Sequence, residues 1–313
     1  MNVAIVGANG FIGSHLTVQL AATTGIKLFL FGNAPSGIFD HEFSCTKLDL
    51  LNRQQVKQEL AGMDVVYYLA SATIPASSWE NPARELDENL LPFISFMESI
   101  SELGVKKVVF ISSAGTIYGT SQVKVNENSS KAPYSPHGII KLTMEYFLNY
   151  FKIKYNIHSD IYRISNVYGP GQDTAKGLGL INTLIENTVN NKPTTIFGSG
   201  TSVRNYVYVK DVAKLLSFSL SSDMNQSHIF NLASNDTVSI NELINILRTV
   251  TGHDIRILKE NERGSDNPTI DVDNTKLMAA YPGFRFTPIN EGIQQTYHHV
   301  KQKHSVSHGH NAN

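Results

Sequence analysis

The sequence predicts an α/β fold, a doubly wound parallel sheet with a smaller carboxyl-terminal lobe. Three observations carry this. The chain opens on an apolar run closed by a glycine-rich turn and an amphipathic stretch, VAIVGANGFIGSHLTVQLAA. Strand-like and helix-like segments then alternate through the first half. Runs such as VVYYLA and KVVFIS lack strict polar alternation, as expected of parallel strands covered on both faces.

The elements follow in order. Val3 to Val6 read as a strand, and Gly7, Gly10 and Gly13 punctuate the turn into a helix over 11–22. A turn without side chains lets backbone amides approach a pyrophosphate at the helix N-terminus. The spacing is GxxGxxG rather than GxGxxG, so packing alone is the competing reading. Further strands are expected over 26–31, 64–69, 106–112 and 158–164, with helices over 52–60, 83–103 and 138–154. Right-handed crossovers then place the ligand-bearing loops after residues 6, 31, 69, 112 and 164.

From about residue 166 the pattern loosens. GPGQDTAKGLG is a glycine-rich loop, and 178–190 looks helical. Short strands (194–197, 205–208, 228–231, 254–258) alternate with helices near 210–221, 239–250 and 288–302. The expected division is a dinucleotide-binding domain over 1–165, a substrate-binding lobe over 166–302 partly interleaved with it, and a disordered tail over 303–313. His298, His299, His304, His308 and His310 crowd that end. No Cys, Asp or Glu accompanies them in the tail, so no metal site is expected.

Composition narrows the function. A 41% apolar content supports a real core, and a net charge of −1 steers the chain toward neither nucleic acid nor an anionic membrane. Cys45 is the single cysteine, which excludes an internal disulfide and suits a reducing compartment. The first residues already read as a strand, with no basic leader, and no apolar run approaches a membrane span. A soluble cytoplasmic protein is expected.

The chemistry concentrates in two segments, VVFISSAGTIYG (108–119) and SPHGIIKLTMEYFL (135–148). Pro136 suits a helix start, and His137 and Lys141 then stand one turn apart on one face. With the opening turn, these segments resemble the extended short-chain dehydrogenase/reductase family, in its nucleotide-sugar epimerase/dehydratase branch. DVVYYLASA (64–72), DENLLPF (87–93), YRISNVYGPGQ (162–172), RNYVYVKDVAKLL (204–216) and ERGSDNPTIDVDNTKL (262–277) extend the resemblance to about residue 302.

The resemblance implies a Rossmann fold that binds NAD, with NADP open, and a nucleotide-diphosphate sugar as substrate. The implied reaction is hydride transfer at C4: a UDP-hexose 4-epimerase serving polysaccharide or O-antigen sugar supply, or a dTDP-4-keto-6-deoxyhexose reductase using NAD(P)H. A dehydratase is disfavoured, because the run Ala114-Gly115-Thr116 lacks the acid that elimination needs. A catalytically weak dinucleotide sensor or scaffold is the alternative of a different class. Cofactor contacts are implied for Gly7, Asn9, Gly10, Phe11, Ile12, Gly13, Asn33, Asp49, Leu50, Leu69, Ala70, Asn89 and Lys141. Sugar and diphosphate contacts are implied for Thr116, Asn166, Arg204 and Arg263. A homodimer through helices 83–103 and 138–154 is implied as well.

Three departures stand out. β-strand two ends in Gly32-Asn33, with neither an acid for the ribose hydroxyls nor an Arg for a 2′-phosphate. His137 occupies the place of the family's catalytic Tyr, while Lys141 matches its Lys. Either His137 is the acid/base, its ordinary pKa of about 6.5 already near neutrality, or Tyr134 or Tyr118 substitutes, or proton transfer is lost. The usual serine position falls on Ala114, leaving Thr116 first and Ser113 second as the partner hydroxyl.

Overall fold

The computed structural model describes residues 1–33, 43–121, 123–176, 179–261 and 270–309. Along the chain run β1 (Asn2–Val6), α1 (Phe11–Ala21), β2 (Lys27–Gly32), β3 (Thr46–Lys47), α2 (Arg53–Glu59), β4 (Val65–Tyr68), α3 (Pro75–Glu80), α4 (Pro82–Glu85), α5 (Leu91–Ile100), β5 (Lys107–Ser113), α6 (Ala114–Ile117), α7 (Pro136–Tyr155) and β6 (His158–Ile164). There follow β7 (Asn166–Tyr168), α8 (Leu180–Val189), β8 (Thr194–Phe197), β9 (Val203–Tyr208), α9 (Val209–Ser217), β10 (His228–Leu232), β11 (Thr237–Ser239), α10 (Ile240–Thr251), β12 (Ile257–Glu260), α11 (Thr275–Ala280) and α12 (Ile289–Gly309).

The chain divides into two compact units. The first holds residues 1–119, 127–164 and 212–232; the second holds 120–126, 165–211 and 233–313. In the first, seven parallel strands are ordered β10-β6-β5-β4-β1-β2-β3. The strand order reverses between β1 and β4, and the crevice beyond their carboxyl ends is where such sheets take ligands. Val6, Phe31, Tyr68, Phe93, Phe96, Phe110, Met144, Leu148 and Phe151 form one core between sheet and helices. In the second unit, β11-β9-β7 and β12-β8 are separate small sheets. Ile181, Leu184, Tyr206, Leu247, Tyr297 and Val300 share its core.

Several expectations are corrected. The strand at 228–231 belongs to the large sheet, where β10 pairs with β6 from Asp160 to Ile164, with Phe230 and Leu232 buried. The helix expected over 83–103 runs without a break from Pro82 to Ile100 but is irregular: α4 passes through one π turn, Leu86–Leu90, into α5. Pro92 explains this, since it has no N–H to donate and crowds the preceding turn. The Leu91 amide reaches back five residues to the Leu86 carbonyl. The helix near 210–221 ends at Ser217 and tightens to 3₁₀ over Phe218–Ser221. The strand near 254–258 is displaced to β12.

The tail expected to be disordered from 303 is helical as far as Gly309, as the end of α12. Extending a nucleated helix costs little where no Pro intervenes; residues 310–313 lie outside the described residues. No helix among the described residues is long and apolar enough to cross a membrane.

Candidate active site

The glycine turn leads directly from β1 into α1. Gly7 adopts φ +94°, which favours glycine, and a β-carbon there would meet Ala70 N and Leu69 C at 2.9 Å. A β-carbon on Gly13 would stand 2.1 Å from the Gly7 carbonyl oxygen. The turn is therefore pressed against the end of β4, with Leu69 and Ala70 on its flank. Gly10 precedes α1 without a side-chain cap, leaving the first amides of the helix, those of Phe11 and Ile12, suited to an anion. Asn9 lies against Gly32, whose β-carbon would meet Asn9 Oδ1 at 2.5 Å. These backbone cradles fit a dinucleotide pyrophosphate.

The remaining cofactor candidates are placed unevenly. Asn33 is exposed at the end of β2. Asp49 is exposed and shapes the turn into α2, its Oδ1 accepting from Leu51 N at 3.0 Å; Leu50 is half-buried beside it. Asn89 is buried, and its amide is engaged within the protein. Its Oδ1 accepts from Ala72 N at 2.9 Å, and its Nδ2 donates to Thr73 Oγ1 at 2.7 Å and Glu85 Oε2 at 3.0 Å.

At the carboxyl end of β5, α6 carries Thr116 and α7 starts at Pro136. The Ser135 hydroxyl caps α7 by accepting from Gly138 N at 3.2 Å. His137 and Lys141 are both buried on that helix. The Lys141 ammonium donates to the Ile111 carbonyl at 3.1 Å and lies 5.1 Å from the Phe110 ring centroid. Burial pushes its pKa down to about 8, against the pull of Glu85 and Glu145. Burial likewise lowers His137; Glu85 opposes this and Lys141 adds to it.

The Thr116 hydroxyl is buried and has no hydrogen-bond partner among the described residues, an arrangement that costs free energy unless a ligand meets it. Ser113, at the end of β5, is half-buried and does not cap α6. Tyr118, a candidate substitute for the family tyrosine, is otherwise engaged: it donates to Asn231 Oδ1 at 2.6 Å and accepts from Arg163 at 2.9 Å. Burial pushes its phenol up. Tyr134 lies against the Trp79 ring at 6.0 Å.

Sequence reasoning missed Glu85. This carboxylate is 1% exposed, and its Oε1 stands 3.6 Å from His137 Nδ1. Burial would raise its pKa, but His137, Thr73 and Asn89 together hold it below the usual carboxylate range. An acid one turn before Asn89 was the available signal.

In the second unit, Asn166 is exposed at the start of β7 and donates to the Asn205 carbonyl at 3.0 Å. Arg204, on β9, is half-buried and donates to the Val203 carbonyl at 3.0 Å. Arg263 lies outside the described residues.

A glycine cradle at the sheet's switch point, with a buried imidazole and ammonium one turn apart on the following wall, defines a dinucleotide-dependent enzyme of the Rossmann class. The chain belongs to the NAD dependent epimerase/dehydratase family, whose profile matches residues 3–233. A UDP-glucose 4-epimerase of Lacticaseibacillus casei is 27% identical over 296 residues, covering 88% of this chain and 89% of that protein. A dTDP-4-dehydro-6-deoxyglucose reductase of Escherichia coli is 29% identical, with 77% and 79% covered. The crystal structure of the Thermotoga maritima UDP-glucose 4-epimerase with UDP-glucose superposes with a TM-score of 0.89 at 28% identity, covering 97% of this chain and 99% of that one.

Proposed function

We propose that this protein is an NAD-dependent UDP-hexose 4-epimerase in which His137 is the acid/base. The observation that carries this is the buried trio of the first unit: His137, Lys141 one turn on, and the unpartnered Thr116 hydroxyl. Bound NAD would supply the acceptor and donor of a hydride at C4. The glycine turn would hold its pyrophosphate, and Lys141 its ribose. His137 takes the proton of the sugar 4-hydroxyl as hydride leaves C4, and returns it when hydride comes back to the opposite face. Lys141 places a fixed positive charge near the imidazole, and the Thr116 hydroxyl donates to the developing C4 carbonyl oxygen. The cycle is redox-neutral and proton-neutral, which suits a base screened from water. Asn166, Arg204 and Arg263 are the candidates for the sugar and diphosphate, Arg because its planar fork pairs with phosphate oxygens.

The dTDP-4-keto-6-deoxyhexose reductase is the second reading. It is favoured by Asn33, where an acid selecting the 2′-hydroxyl would stand, and by the Escherichia coli relative. One experiment separates the two. Interconversion of UDP-glucose and UDP-galactose without net change in nicotinamide absorbance supports the epimerase. Stoichiometric loss of NADH or NADPH with the 4-keto sugar supports the reductase. Neither result would favour the sensor.

The chain is further proposed to act as a homodimer in the cytoplasm. Ile139, Tyr146, Tyr150 and Ile153 form an exposed apolar stripe along α7, and Leu86 and Leu91 are exposed on the neighbouring helical segment. Paired helices from two copies would cover such surfaces. The free thiol of Cys45 suits a reducing compartment.

A further inference from the structure

We infer that Glu85 is the positioning residue for His137: it holds the imidazole with its proton on Nδ1 and leaves Nε2 to exchange the proton of the substrate hydroxyl. The inference deepens the proposed function and rests on its assignment of His137 as acid/base.

The argument begins with the carboxylate. Thr73 Oγ1 donates to Glu85 Oε1 at 2.5 Å, and Asn89 Nδ2 donates to Oε2 at 3.0 Å. The other Asn89 amide hydrogen goes to Thr73 Oγ1 at 2.7 Å, which commits the threonine's own hydrogen to Glu85. Both carboxylate oxygens are thus acceptors, as an ionised group requires. A buried carboxylate is costly unless a positive partner answers it. The positive group that answers it is Lys141 on α7, and the neutral imidazole of His137 faces it from the same helix.

His137 Nδ1 is buried and makes no hydrogen bond among the described residues, and Glu85 Oε1 stands 3.6 Å from it, just beyond hydrogen-bond length. Catalytic hydrogen bonds are often long without substrate and tighten when it binds. An acceptor-only group facing Nδ1 selects the tautomer with hydrogen there. The substrate O–H bond then breaks as an Nε2–H bond forms, while C4 loses hydride to the dinucleotide and gains a carbonyl. The imidazolium produced lies beside an existing negative charge, so the charge separation is short. The π turn at Leu86–Leu90 helps set this up, since Glu85 and Asn89 face the same buried cluster across it.

The test uses the full-length protein with ¹⁵N-labelled histidine. Long-range ¹H–¹⁵N spectra of His137, assigned by its loss in His137→Ala, are expected to show the Nδ1–H tautomer. In Glu85→Gln the His137 titration midpoint should move to lower pH, because the negative charge is gone. For a UDP-hexose, kcat should fall about a hundredfold with KM and NAD affinity held, and the acidic limb of the pH profile should shift the same way. Hydrogen on Nε2 in the wild-type protein would overturn the inference, as would an unchanged midpoint in the variant. The wild-type spectrum decides the matter even if the variant fails to fold. It also decides it if no UDP-hexose is turned over, which would sink the epimerase reading alone.

Discussion

Gly138 and Thr116 are in backbone contact: a β-carbon on Gly138 would stand 2.5 Å from the Thr116 carbonyl oxygen and 3.0 Å from its Cβ. The first turn of α7 is thereby seated on α6, with the Thr116 backbone next to the residue that follows His137. Gly138→Ala must push α6 and α7 apart. Overpacking of this kind costs about 1–3 kcal/mol. Chemical denaturation should register that loss, and turnover should fall by more than the loss of folded protein explains.

His137→Ala is expected to lose about 10²–10⁴ of kcat, the usual range for a positioned acid/base. His137→Tyr, though it restores the family residue, should remain at least about tenfold below the native enzyme. Glu85, held ionised nearby, disfavours a second negative charge and so raises the pKa of a phenol placed there. A Tyr variant faster than the native protein would show that the histidine site is attenuated.

Lys141 costs stability in exchange for its role. Its folded pKa of about 8 lies below the ordinary 10.5. Between those values the unfolded chain binds more protons, so the stability contributed by this group rises with pH across that window. Below pH 8 its burial penalty is constant, about 3 kcal/mol on this reckoning. Lys141→Met should therefore melt higher than the native protein at pH 7, lose the rise between pH 8 and 10.5, and be inactive. Thermal melts at several pH values check all but the last.

Gly13→Ala places a methyl group 2.1 Å from the Gly7 carbonyl oxygen. The turn must open, and its amides move with it. Calorimetric titration with NAD should show affinity reduced about tenfold or more. An unchanged affinity would mean that the pyrophosphate is held elsewhere.

Tyr146 is 67% exposed at the centre of the apolar stripe on α7. Tyr146→Glu would bring two like charges together at a twofold helix interface. Sedimentation velocity should find the native chain dimeric and the variant monomeric, with each subunit's melting curve still cooperative.

The sequence by itself determined the alternation of β1, α1, β2, α2, β4, the α4–α5 helix, β5, α7 and β6, the glycine turn, and the spacing of His137 and Lys141. Each of these is local: periodicity sets which faces are apolar, and four residues are one helical turn wherever the helix lies. It did not determine that β10 returns to the large sheet, because a short apolar strand carries no mark of its neighbour. Only the tertiary structure decided that the Thr116 hydroxyl is buried without a hydrogen-bond partner among the described residues, and that Tyr118 is committed to Asn231 and Arg163. It also decided that Glu85 meets a histidine fifty-two positions away in the chain. That contact depends on α4 packing against α7 and on a π turn enforced by Pro92, so no spacing within either segment could announce it. Long-range contacts of this kind arise from the packing of elements against one another, and a pattern read along the chain does not contain them.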